Sequence, residues 1–87
     1  MYSVHFLKPA LKELERLDRT AAKRIVDRLE WLSINLDSTK LSPLKGDPAG
    51  LYKLREGSYR IFFEVLRTDR IIMIHAIGHR HNVYKKR

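Results

Sequence analysis

The sequence predicts a small α+β fold, β-α-α-β-β-β, with an antiparallel sheet covered on one face by a helical pair. Three observations carry that prediction. Apolar residues recur at steps of three and four between Leu7 and Leu36, alternate with polar residues from Leu51 to Leu66, and form a continuous β-rich run from Ile71 to Ile77. A chain of 87 residues has room for one domain, residues 1–87, and no second core.

Each element has a local cause. In Tyr2-Ser3-Val4-His5-Phe6, residues 2, 4 and 6 share a face, which is the signature of a short strand. Pro9 suits a first helical turn, and Leu7, Leu11, Leu14 and Leu17 then form a stripe, predicting a helix from about Lys8 to Leu17. Glu13, Glu15 and Arg16 fall off that stripe. Asp18 or Thr20 can cap a second helix with the stripe Ala22, Ile25, Leu29, Leu32 and Leu36. Trp31 lies near its edge and is expected to pack. Two amphipathic helices joined by two or three residues form an antiparallel pair, and each leaves a stripe to cover something else.

From Asp37 to Gly50, a cluster of Asp, Ser, Pro and Gly marks a loop, with Leu41 and Leu44 expected to anchor it. Strands follow. Tyr52 and Leu54 share one side of the first; Tyr59, Ile61, Phe63 and Val65 share one side of the second. Glu56-Gly57-Ser58 and Arg67-Thr68-Asp69-Arg70 are turns, so the three strands form an antiparallel meander. His75, inside the apolar run, reads as a core histidine, and His5 as a surface strand residue.

Composition excludes several classes. There is no cysteine, so disulfides, thiolate catalysis, Cys-ligated zinc and iron–sulfur clusters are out. No apolar run approaches the roughly 20 residues of a membrane-spanning helix, and no signal-peptide pattern opens the chain. A cytoplasmic protein without a membrane partner is therefore expected. The formal charge is +8, which points to a polyanionic partner. Residues 1–44 carry 8 basic and 6 acidic side chains, whereas residues 45–87 carry 10 and 4. The excess thus lies with the strands and the C-terminal segment.

A helical pair covers one face of the sheet, so the other meets solvent or a ligand. By parity that face carries Lys53, Arg55, Arg60 and Glu64. Converging guanidinium and ammonium groups suit phosphate binding and stabilisation of phosphorane-like charge. Gly78-His79-Arg80-His81-Asn82-Val83-Tyr84 adds titratable groups beside the sheet. Glu64 is either a general base or a partner for Arg60. His75, His79 and His81 share parity, but no carboxylate or cysteine joins them and the spacing fits no common site, so no metal is expected.

The stretch Leu44-Lys45-Gly46, followed by Gly50-Leu51-Tyr52-Lys53-Leu54-Arg55-Glu56-Gly57-Ser58-Tyr59-Arg60-Ile61, resembles the core of the RelE/ParE toxin superfamily. Gly78-His79-Arg80 and Val83-Tyr84 resemble its C-terminal motif, and the element order matches over essentially the whole chain. The resemblance, on its RelE-like branch, implies the toxin of a type II toxin–antitoxin pair. Such toxins cut mRNA in the ribosomal A site without a cofactor, leaving a 2′,3′-cyclic phosphate. It implies a cognate acidic, RelB-like antitoxin as partner, with operator DNA contacted only through the complex. It places Lys53, Arg60, Arg80 and Tyr84 on catalytic positions, with Lys45, Arg55, His79, His81 and Lys85 as further RNA contacts.

In the implied mechanism Tyr84, His79 or His81 takes the 2′-hydroxyl proton. Lys53 and Arg60 stabilise the phosphorane, and Arg80 sits at the leaving 5′-oxygen. Leu51 stands where the best-known member of the branch has a further lysine. The alternatives are a ParE-like poison of DNA gyrase and a degenerate module that only binds antitoxin or nucleic acid.

Overall fold

Alternation over the first residues produces a strand, β1 (Ser3–Phe6), and with Pro9 in its first turn α1 (Lys8–Arg16) starts one residue later. The computed structural model describes residues 1–44 and 50–79. Asp18 caps α2 (Arg19–Asn35): its carboxylate accepts the Ala21 N–H at 2.8 Å, satisfying one of the helix's orphan donors. A 3-10 turn (Leu36–Ser38) and a two-residue strand, β2 (Ser42–Pro43), follow. Then come β3 (Tyr52–Glu56), β4 (Tyr59–Leu66) and β5 (Ile71–His79).

The sheet order is β1-β5-β4-β3-β2. β3, β4 and β5 pair antiparallel, as their tight turns require. The β3–β4 turn centres on Gly57, whose φ of 60° is open to glycine at little cost. β1 joins β5 in parallel, so the sheet is mixed where uniform antiparallel pairing was expected. The two helices between β1 and the meander allow this, because they carry the chain back before the other strands form. β2 lies inside the expected loop. It tolerates Pro43 because it is an edge strand, where a missing N–H costs no ladder bond.

The core forms between the helices and one face of the sheet. Ile25, Leu29, Leu32 and Leu36 meet Ile61, Phe63, Ile72, Ile74 and Ile77, all buried. Leu41 packs at the margin, and Leu44 donates its N–H to the Leu51 carbonyl at 2.9 Å.

Two helical expectations are corrected. The buried residue of α1 is Ala10, while Leu11 is exposed. The helix is rotated so that Glu13, expected outside, turns toward β5 and accepts the Ile77 N–H at 2.8 Å. β1 ends at Phe6, opposite Ile74, so β5 runs on without a neighbouring strand there. The carboxylate supplies the acceptor that a strand would have given. Trp31 is 43% exposed; the Arg28 guanidinium lies over its ring, 4.6 Å from the centroid.

Candidate nucleic-acid interface

The face opposite the helices is built by β3, β4 and β5. Register sets its members side by side. Arg55 lies directly across from Arg60, and Lys53 directly across from Phe62. On the far side of β4, Gly78 pairs with Arg60 and Ala76 with Phe62. Lys53 and Arg55 are two residues apart on one strand, about 7 Å, so three cations occupy adjacent positions on one surface. Like charges directly across a ladder destabilise it. An anion bound between them would offset that cost.

This face is less open than alternation suggests. Arg60 is 6% exposed and Phe62 8%, whereas Lys53 is half-buried and Arg55 exposed. Gly78, opposite Arg60, has no side chain, which leaves room for the arginine's long stem to lie low on the sheet.

A β-bulge decides the remaining members. Phe62 pairs with Ala76 but Phe63 pairs with Ile74, so His75 is the extra residue of β5. Its expected place in the core is thereby corrected. His75 lies on the face of Lys53 and Arg60, half-buried, with Nε2 2.5 Å from Oε1 of Glu64. This pair was missed in the sequence, where alternation through Ile71–Ile77 gives no sign of an inserted residue.

The same bulge reverses the parity beyond it. His79 pairs with Tyr59 on the helix side, where the two rings meet edge to face with centroids 5.6 Å apart. There it lines a cavity of about 380 Å³ with Glu13, Arg16, Leu17 and Ile77. His75 and His79 therefore do not share a face, and His79 is turned away from Lys53 and Arg60. Among the described residues, no three His, Cys, Asp or Glu side chains converge to hold a metal ion. No helix among them is long and apolar enough to cross a membrane. Lys45, Arg80, His81, Tyr84 and Lys85 lie outside the described residues.

The fold has counterparts. Residues 4–84 match the family model of the ParE toxin of the type II toxin–antitoxin system parDE. A Methanocaldococcus jannaschii protein named as toxin RelE1 is 32% identical over 97% of this chain and 96% of its own. The chain belongs to the RelE/ParE family of type II toxins. Solved structures of the family superpose closely. The toxin–antitoxin complex RelBE2 from Mycobacterium tuberculosis gives a TM-score of 0.78 at 24% identity, over 90% of this chain and 96% of that one. The RelB–RelE complex from Methanococcus jannaschii gives 0.74 at 25% identity, over 95% and 98%. RelE/ParE toxins thus share the mixed sheet and helical pair described above.

Proposed function

We propose that this RelE/ParE toxin acts through residues 1–87 as one domain and is an endoribonuclease that cuts mRNA in the ribosomal A site. The observation that carries the reading is the ladder placing Arg55 across from Arg60, with Lys53 one pleat away. That arrangement suits a phosphodiester and the extra negative charge of a pentacoordinate phosphorus. Lys53 and Arg60 stabilise that charge, Arg55 holds the adjoining strand of RNA, and Arg80 serves the leaving 5′-oxygen. The 2′-oxygen attacks, so the product is a 2′,3′-cyclic phosphate, and neither metal nor cofactor takes part. Tyr84 and His81 are the C-terminal candidates for the proton acceptor. Lys45 and Lys85 extend the RNA contacts, whereas His79, on the helix side of the sheet, lies off that surface.

A RelB-like acidic antitoxin neutralises the toxin, and operator DNA is contacted through that complex. The toxin–antitoxin complexes among the structural neighbours and the +8 charge support this partner. The parDE name of the matching family model favours a second reading, in which the target is DNA gyrase.

Induction followed by mapping of ribosome-bound mRNA ends separates the two. New ends in the A site are expected from the wild type. Lys53→Ala should lower their yield about 100-fold, the scale of one lost transition-state donor. Intact mRNA together with a DNA-damage response would replace this reading by the gyrase one. Lys53 is the better probe than Arg60, because truncating a buried arginine also removes packing.

A further inference from the structure

We propose that His75, in place of the C-terminal candidates Tyr84 and His81, is the proton acceptor for the attacking 2′-hydroxyl and that Glu64 is its positioning residue. The inference rests on the RNase reading above. It starts from the β5 bulge, which places both His75 and Ala76 on the cationic face. Ala76 contributes only a methyl group, so the imidazole is not screened on that side. The side chains of His75 and Glu64 are 30% and 34% exposed, within reach of a ligand.

Orientation follows from the contact. Nε2 faces Oε1 of Glu64, so in the neutral ring the proton sits on Nε2 and is donated to the carboxylate. Nδ1 then carries the free lone pair, and no described residue hydrogen-bonds it. The carboxylate fixes the tautomer and stabilises the imidazolium that forms, the division of labour of a carboxylate–histidine pair in hydrolases.

The placement suits the substrate. Lys53 is opposite Phe62, so it lies diagonally across from Glu64, with about 7–8 Å between the two backbones. A phosphate held on Lys53 lies on the same face as the imidazole, with β4 between their strands. Among the described residues, the other titratable or charged groups on this face of the neighbouring strands are Arg60 on β4, opposite Gly78, and His5 on β1, opposite Met73.

In the step, the bond from the 2′-oxygen to phosphorus forms and the bond from phosphorus to the 5′-oxygen breaks. The 2′-proton passes to Nδ1. Water protonates the 5′-oxygen, and the imidazolium gives its proton to the hydroxide left behind.

Single-turnover cleavage of mRNA on the ribosome tests this across pH, with His75→Asn and Glu64→Ala compared with wild type. Near-UV circular dichroism checks that each variant folds. His75→Asn should slow cleavage about 100- to 10,000-fold, the usual range for a proton-transfer group. It should also abolish the fall in rate on acidification that a neutral imidazole base produces. Glu64→Ala should slow cleavage less. In imidazole ¹⁵N spectra it should turn a ring protonated on Nε2 into a mixture of tautomers, which would show even where His75→Asn did not fold. A folded His75→Asn variant with the wild-type rate and pH profile overturns the proposal and leaves the RNase reading standing. An unchanged tautomer in Glu64→Ala overturns the positioning role. A wild type that leaves ribosome-bound mRNA intact overturns both readings together.

Discussion

Gly57 shows how one residue can hold a site's frame. Its φ of 60° makes the two-residue turn that sets Glu56 against Tyr59, and hence Arg55 against Arg60. A Cβ there would lie 3.1 Å from Nη2 of Arg24, the far end of a flexible side chain. Steric crowding is therefore the smaller penalty. The exposed Arg24–Glu56 pair, 3.5 Å apart, contributes little on its own. The backbone conformation dominates, so Gly57→Ala should destabilise the protein by about 1–2 kcal/mol. A urea titration would read this as a lower midpoint with an unchanged slope. Lys53, Arg55 and Arg60 were legible on one face because a strand alternates with period two. Glu64 was legible there too, but its partner was not. His75 reaches it through an inserted residue that leaves no compositional mark.

Among the elements, β5 does most to position the site, and it is held differently along its length. Its first half is paired on both sides, by β1 and β4. Its second half has β4 on one side and the carboxylate of Glu13 on the other. Glu13→Ala leaves the Ile77 N–H without that acceptor, at a cost of about 1–3 kcal/mol. The expected sign is faster amide hydrogen exchange at Ile77 than in the wild type, with Ile72 and Ile74 little changed. The sequence misassigned Glu13 because a helical stripe is drawn from apolar residues. A carboxylate that completes a sheet edge looks like any other outward-facing charge. The N-cap at Asp18 was legible, since it depends only on a local bond to Ala21.

For the whole molecule, charge distribution sets the physical behaviour. Helix α2 directs part of its basic charge into ion pairs, Lys23 with Asp27 and Arg24 with Glu56. Arg67 and Arg70 lie near Asp37, 3.7 and 4.0 Å away. On the proposed reading, Lys53 and Arg55 of the β3–β4 face meet the polyanion. If Lys53 and Arg55 each neutralise one phosphate, binding of a short single-stranded RNA weakens with salt accordingly. Changing both to Ala should flatten the slope of log affinity against log salt by about 1.4. Fluorescence anisotropy at several salt concentrations would measure it.

By itself the sequence determined the order of the longer elements, the apolar stripe of α2, and the strand positions of Lys53, Arg55 and Arg60. These follow from local periodicity, which needs no knowledge of neighbours in space. Its motifs also resembled the family to which the chain belongs. Tertiary structure alone decided the parallel docking of β1 on β5, the inward turn of Glu13 and the bulge that sends His75 and His79 to opposite faces. Each depends on where a strand runs out of partners or takes in an extra residue. Hydrogen-bond satisfaction between distant segments sets those points, and periodicity within a segment carries no record of them.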